Sequence, residues 1–177
     1  MKNFKEYLLR EALEDSYNYT FDISESEVEA DDWGEESYTE MQMDSTQKAS
    51  FQTEEGQKFL WTATENIVQG SSGTWEIAFG TVEDFGDDKI QIELTGQGNA
   101  FRILSTVVEI TAEFLEYSKE EPMRVQYLKF RSKGSNRTKL YKNRLIPALE
   151  KISGVKLDLE REEEYNREST LVYEVSF

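Results

Sequence analysis

Between residues 51 and 96, apolar and polar positions alternate along the chain, which is the two-residue period of a β-strand with one buried face. The alternation predicts strands over residues 58–68, 73–82 and 88–96. Trp75, Ile77 and Phe79 fall on one face of the second strand. The intervening stretches GSSG (70–73) and FGDD (85–88) consist of turn residues. This region therefore predicts an antiparallel meander.

The period changes to that of a helix after residue 98. Residues 99–120 place one apolar row at helical spacing, with Asn99 as a natural N-cap and Pro122 just beyond the end. The row is formed by Ala100, Ile103, Val107, Ile110 and Phe114. So wide an apolar stripe predicts a helix that packs across a sheet.

A strand and a second helix are predicted next, over residues 123–132 and 135–153. Pro147 should kink or shorten this helix, and Gly154 should end it. The predicted core row of the helix is Leu140, Leu145, Leu149 and Ile152. Residues 155–160 and 169–177 then predict a hairpin around a charged turn at 160–168.

The first 50 residues have a different character. Residues 2–14 predict a short amphipathic helix, and residues 15–23 predict a strand with alternating aromatic side chains. Residues 24–50 are acidic and poor in aliphatic side chains, which favours a solvated loop or an acidic interaction segment anchored by Trp33, Tyr38 and Met41. We therefore divide the chain into residues 1–50, a helix with an acidic and partly irregular segment, and residues 51–177, an α+β domain.

Two residue types are missing from the 177-residue chain: cysteine and histidine. Their absence excludes disulfides, zinc fingers, thiol nucleophiles and every catalytic or metal site that needs imidazole. A metal would need oxygen ligands alone, and we predict none. No apolar run approaches the roughly 18 residues of a membrane span, and the N-terminus lacks an apolar signal core. We therefore expect no membrane partner.

Charge is distributed unevenly along a chain whose net charge is −16. Residues 1–66 contain 17 acidic and five basic residues, a net of −12. By contrast, residues 124–144 contain eight basic residues and no acid: Arg124, Lys129, Arg131, Lys133, Arg137, Lys139, Lys142 and Arg144.

This basic stretch has three interpretations. It is a solvated face, a surface that docks a negative protein or the acidic segment of a second copy, or a site for a phosphate-bearing ligand. We predict these eight residues to form one positive, partner-binding surface. Nucleic acid is an unlikely partner because the overall negative field repels its backbone.

Over residues 88–177, the chain resembles the Gcn5-related N-acetyltransferase (GNAT) family in one loop and in the order of its elements, which is meander, helix, strand, helix and hairpin. The family's loop pattern is Gln/Arg-x-x-Gly-x-Gly/Ala, and this chain has Thr95-Gly96-Gln97-Gly98-Asn99-Ala100. Gly98 and Ala100 match the pattern, whereas Thr95 does not. The resemblance implies that Gly96, Gln97, Gly98, Asn99 and Ala100 bind the acetyl-CoA pyrophosphate at a helix N-terminus. The alternative is a tight strand-to-helix turn without a ligand.

The later helix adds a second point of likeness. Asn136 and Leu140-Tyr141 are similar to an Asn and Leu-Tyr pattern of the family, although their spacing is shorter. The resemblance implies that Tyr141 is the general acid on the departing thiolate. Family members often deprotonate the amine with a Glu or a water relay, and Glu76 and Glu93 lie on predicted strands.

The N-terminus resembles the capsid-targeting peptides of large tailed phages. Residues 1–8 read MKNFKEYL, with the Met-Lys, aromatic and Glu positions of those peptides, and Leu9-Arg10-Glu11 resembles a prohead-protease cleavage site. The segments GNAFRILSTVVEI and SNRTKLY are also similar to uncharacterised phage proteins. Common amphipathic helices share such features, so an ordinary helix is the alternative.

The expected fold class is α+β, with a mainly antiparallel central sheet and two packed helices, GNAT-like in the second half. The expected function is that of a non-catalytic phage interaction or virion-associated protein that binds a protein partner or itself, in the host cytoplasm or the virion. No cofactor is expected for this function. One alternative is an acetyl-CoA-dependent N-acetyltransferase. The other is an acidic nucleic-acid mimic that inhibits a host DNA-binding protein.

Overall fold

The computed structural model describes residues 16–22, 46–65, 73–82, 99–119, 125–133, 135–166 and 168–177. Within this part of the chain there are seven strands and three α-helical segments. The strands are β1 (Tyr19–Asp22), β2 (Thr46–Gln52), β3 (Lys58–Glu65), β4 (Thr74–Thr81), β5 (Tyr127–Lys133), β6 (Lys156–Tyr165) and β7 (Glu168–Ser176). The helices are α1 (Asn99–Tyr117), α2 (Ser135–Leu140) and α3 (Ile146–Ser153), and a π-helical turn, Tyr141–Leu145, joins the last two.

All seven strands form a single sheet in the order β1-β2-β3-β4-β5-β7-β6. Neighbouring strands are antiparallel except β4 and β5, which are parallel. The prediction of an α+β fold with a mainly antiparallel sheet is confirmed.

One face of the sheet carries the hydrophobic core. Along β3, Phe59, Trp61 and Ala63 are buried, whereas the residues between them are partly exposed. The same alternation holds in β4, and in β5 it buries Leu128 and Phe130. The side chains between the buried ones point to the opposite face of the sheet because successive strand residues alternate in direction.

Helix α1 packs on the core face through its apolar stripe. Phe114 is fully buried, and its ring lies 5.6 Å from the ring of Trp61 and 5.1 Å from that of Trp75. The Trp61 indole N–H donates to the Thr111 hydroxyl at 3.0 Å. The helix thus covers the sheet with large side chains, and the buried hydroxyls of Thr106 and Thr111 donate to the carbonyls of Arg102 and Val107.

One strand was not predicted, and one sequence prediction is wrong in the described residues. Strand β2 begins at Thr46, in a stretch for which no strand was predicted, and runs through residue 50. Gln47, Ala49 and Phe51 alternate on the core face, a pattern that contains just one large apolar side chain and is easily missed. The charged segment 160–168 was expected to be a turn, but β6 continues to Tyr165. Because β6 is an edge strand, its charged side chains remain in solvent without penalty.

The second predicted helix is interrupted by the π-helical turn. The backbone N–H of Ile146 donates to the carbonyl of Tyr141, five residues back, and Pro147 follows without an N–H to donate. Tyr141, Leu145 and Leu149 are buried at four-residue spacing, whereas Ile152, predicted to lie in the core, is exposed. Gly154 ends the helix with φ of +69°, as predicted.

Three predicted elements lie outside the described residues. They are the helix at 2–14, the strand at 88–96 and most of the acidic segment at 24–50, including Trp33, Tyr38 and Met41.

Candidate functional site

The basic stretch is divided between two sides of the sheet. Arg124 lies outside the described residues, and the side chain of Lys133 is not described. In β5, Lys129 and Arg131 alternate with the buried Leu128 and Phe130, so they project from the face opposite the helices. The other four cations lie on the helical segment that packs against the core face. The structure therefore does not bring the described members of the stretch onto one surface.

Glu76 is the counter-ion of the two cations in β5. It lies opposite Lys129 in the parallel register between β4 and β5. Its carboxylate is 3.0 Å from the Lys129 ammonium and 2.8 Å from Nε of Arg131. Only 18% of the Glu76 side chain and 22% of the Lys129 side chain are exposed, whereas the figure for Arg131 is 58%. With its carboxylate held by two cations, Glu76 is not an available general base. Glu93, the other base suggested by the sequence, lies outside the described residues.

The helical cations differ in their surroundings. Lys142 forms an ion pair with Glu162 of β6. Lys139 is exposed, Arg137 and Arg144 are partly exposed, and the inward side of the same segment buries Thr138, Tyr141 and Leu145. Among the described residues, Lys139 and Arg144 have no carboxylate partner. Lys129, Arg131 and Lys142 of the basic stretch therefore have counter-ions from other strands.

Only the last two residues of the turn predicted to bind pyrophosphate, Asn99 and Ala100, are among the described residues. Gly96, Gln97 and Gly98 lie outside the described residues, while Asn99 begins α1 and Ala100 is partly buried in its first turn. This agrees with the helix start that the sequence predicts.

Arg102 anchors this end of α1 to the sheet. Its guanidinium lies 4.2 Å from the centre of the Tyr17 ring and 2.7 Å from the carboxylate of Glu54, in the turn between β2 and β3. The backbone N–H of Tyr17 also donates to the Thr106 hydroxyl at 2.9 Å. The start of α1 therefore lies at the edge of the sheet where β2 turns into β3, and β4 ends at this same edge, because Val82 donates to the Lys58 carbonyl at the start of β3.

The pairing of β4 with β5 stops before the carboxyl ends of the two strands, at this same edge of the sheet. The ladder between the two strands covers four pairs, from Thr74–Tyr127 to Ile77–Phe130. Among the described residues, β4 is paired with β3 alone beyond Ile77, and β5 is paired with β7 alone beyond Phe130. Ligands of open α/β sheets bind outside the carboxyl ends of parallel strands, so this split is the best-defined candidate site in the described residues.

Tyr141 fills the core side of the split. Its ring centre lies 6.1 Å from that of Phe79 on β4 and 5.9 Å from that of Phe130 on β5. Its side chain is 5% exposed, and burial raises its pKa to about 12 while nearby Arg137 has the opposite, smaller effect. The hydroxyl of Ser132 at the end of β5 meets that of Thr138 at 2.8 Å, also in the interior. The tyrosine that the family resemblance suggests as general acid is thus enclosed in the core.

Sequence reasoning missed Glu162 and the roles of Glu76 and Phe79. The signal for Glu76 was present, since it stands between Trp75 and Ile77 on the polar face of a strand. The pairing of β4 with β5, which places Glu76 beside Lys129, could not be inferred from either strand alone. Glu162 was assigned to a turn, so no partner for Lys142 was expected there.

Neither a metal centre nor a membrane-spanning helix emerges from the described part of the chain. It contains no group of three or more Asp or Glu side chains suited to hold a metal ion. None of its helices is long and apolar enough to cross a membrane. Comparison of the chain with protein-family models, curated proteins and solved structures finds no match.

Proposed function

We propose that this chain is a non-catalytic interaction protein of a tailed phage, associated with the virion and built on an acetyltransferase-like scaffold that lacks a working active centre. The observation that carries the proposal is the enclosure of Tyr141 between Phe79 and Phe130. A general acid must reach the departing group, whereas Tyr141 is only 5% exposed. The second candidate residue, Glu76, is held by two cations.

The interaction surface in this proposal is the outer side of the helical segment around Lys139 and Arg144. These two cations have no carboxylate partner among the described residues, and they belong to a chain of net charge −16. A negative surface of a protein partner, or of a second copy, would relieve their repulsion and steer association.

The catalytic part of the proposal is tested with acetyl-CoA and a small panel of amine acceptors. We expect no steady thiol release from the wild-type protein. Thiol release that disappears in the Gly98→Trp variant would contradict the proposal, because the family resemblance assigns Gly98 to the loop that binds the pyrophosphate.

The interaction part is tested by sedimentation velocity at about 0.1 M and 1 M salt, where the Debye length falls from about 10 Å to about 3 Å. If the chain self-associates, the complex should dissociate at high salt and in the double variant Lys139→Glu/Arg144→Glu. Arg161→Glu is the matched control, because Arg161 is an exposed cation on β6 rather than on the helix. A monomer under every condition would contradict self-association. Absence of the chain from purified virions would contradict the virion assignment.

A second candidate function, acetyl-CoA-dependent N-acetyl transfer, is favoured by the split between β4 and β5. The start of α1 lies at the same edge as the diverging strand ends, so amides of its first turn could meet a phosphate there. The thiol-release assay decides between the two functions.

A further inference from the structure

We propose that the free edge of β6 binds an extended, positively charged segment of a protein partner, which adds to the sheet as a further strand. This edge is a second interaction surface, beyond the helical one in the proposed function. The helical surface around Lys139 and Arg144 is positive, whereas the edge of β6 is negative, so the two surfaces suit partners of opposite charge.

In the described part of the chain, β6 is the last strand of the sheet and is paired with β7 alone. Every side chain from Asp158 to Tyr165 is exposed. The outer strand of a sheet presents unpaired N–H and C=O groups on one side, and an extended chain can pair with them. The physical basis for strand addition is therefore present along β6.

One hydrogen bond shows which backbone groups of β6 point outward. The Leu157 N–H donates to the Glu150 carboxylate of α3 at 2.9 Å, so it is not directed at β7. In an antiparallel edge strand, alternate residues direct their backbone groups to the neighbouring strand, and the side-chain face alternates in the same step. Leu159 therefore directs its N–H and C=O outward, as Leu157 does.

A bulge between Leu159 and Arg161 shifts this alternation by one residue. Beyond the bulge, Glu162 forms an ion pair with Lys142 of the helical segment, which places the Glu162 side chain on the core face, like that of Leu159. Glu162 and Glu164 accordingly direct their backbone groups outward. The open part of the edge thus consists of Leu159, Glu162 and Glu164.

The charge of the edge selects the kind of partner. Residues 158–165 contain five acidic residues and one basic residue, a net of −4. A second copy paired through β6 would set these carboxylates against each other, and like charges on paired strands are destabilising. Glu160 and Glu164 have no cationic partner among the described residues, so lysine or arginine side chains of an added strand would neutralise them. Leu159 and Tyr165, which are 45% and 78% exposed, offer the added strand apolar contacts.

The probe for the test is a capped peptide of alternating lysine and valine, about ten residues long so that it covers one strand. Calorimetry measures its binding, and amide hydrogen exchange followed by NMR shows where it binds. In the free protein, we expect the amides of Leu159, Glu162 and Glu164 to exchange quickly. The peptide should slow their exchange at least about tenfold, while the Leu157 amide, which Glu150 already covers, should change little.

Two pairs of substitutions separate strand addition from general attraction to an acidic protein. Glu160→Lys/Glu164→Lys reverses two charges at the edge and should weaken peptide binding at least about tenfold. Glu109→Lys/Glu116→Lys makes the same change in net charge on α1 and should have little effect. Circular dichroism and thermal unfolding establish that each variant is folded.

A third variant, Glu164→Pro, removes one outward N–H at a position where an edge strand tolerates proline. It should weaken binding while leaving the charge of Glu160 in place. If this variant does not fold, the two charge variants still decide.

The proposal is overturned if the peptide does not bind, if binding leaves the three edge amides unprotected, or if both charge variants weaken binding equally. It is also overturned if these amides are already protected in the free protein, because a second copy or another part of the chain would then occupy the edge.

Discussion

Neutralising Glu76 should destabilise the protein more than neutralising a surface carboxylate on the same face of the sheet. In Glu76→Gln, Lys129 loses its carboxylate partner while remaining mostly buried. At about 3 Å and an effective dielectric constant near 20, one charge pair attracts by about 5 kcal/mol before the cost of desolvation is subtracted. Desolvation cancels most of this attraction for partly buried pairs. We therefore expect a net loss of about 1–3 kcal/mol, mainly from Lys129, because the more exposed Arg131 is screened by solvent.

The assay is urea unfolding of Glu76→Gln, Lys129→Met and the double variant, which together form a double-mutant cycle. Glu163→Gln is the matched control. Glu163 pairs with Arg161 at 3.4 Å on the outer face of β6, and both side chains are about 60% exposed. Its loss should cost under about 0.5 kcal/mol.

The reasoning is refuted if the coupling between Glu76 and Lys129 is below about 0.3 kcal/mol, or if Glu163→Gln costs as much as Glu76→Gln. The salt dependence of the coupling energy between Glu76 and Lys129 is a second criterion. Partly buried pairs are screened less than exposed ones, so most of the coupling should persist in 1 M salt, and its disappearance would show that the pair is effectively at the surface.

Three further predictions concern the core, the tyrosines and a helix end. Phe114→Ala should cost about 3–5 kcal/mol in urea unfolding, because a fully buried ring between two indoles is lost; a cost below 2 kcal/mol would mean that the core collapses around the gap. Burial raises the pKa of both Tyr141 and Tyr173 from 10.0 to about 12. The contribution of the two neutral hydroxyls to the free energy of unfolding is therefore full below pH 10 and is lost as pH rises through 12. Absorbance at 295 nm should show them ionising after exposed tyrosines, and Tyr141→Phe should remove one late proton; simultaneous titration of all tyrosines near pH 10 in the folded state would contradict this. Gly154→Ala should cost about 1 kcal/mol, since φ is +69° and no atom lies within 4 Å of the added methyl group, so backbone strain is the sole penalty; an unchanged melting temperature would disprove it.

Elements with a clear period were predictable from sequence. The strand around Trp75 and the helix from Asn99 each repeat large apolar side chains at one spacing, and both appear where that spacing places them. β2 and the outer half of β6 were not predictable by this route. In β2 the repeat relies on Gln47 and Ala49, and in β6 an edge position lets glutamates occupy a strand that has little apolar content.

The candidate site was less accessible to sequence reasoning because it depends on which strands become neighbours. Nothing in the local sequence around Glu76 or Lys129 indicates that β4 and β5 lie side by side and parallel. Tyr141 stands at helical spacing from the buried Leu145 and Leu149, but the two aromatic rings that enclose it come from β4 and β5. Pro147 signals an irregular helix at this place but does not specify which side chain turns inward.

The four-pair ladder between β4 and β5 also has a mechanical consequence. It is the junction between two sets of antiparallel strands, β1–β4 on one side and β5, β7 and β6 on the other. Most ladders within the two sets are longer, with seven pairs in β2–β3, β3–β4 and β5–β7 and nine in β6–β7, whereas β1–β2 also has four. The junction lies near the amino ends of its two strands, so a force applied to the sheet should bend it there first. The two halves of the sheet would then rotate relative to each other about Ile77 and Phe130. The contacts of the Tyr141 ring with Phe79 and Phe130 would resist this rotation.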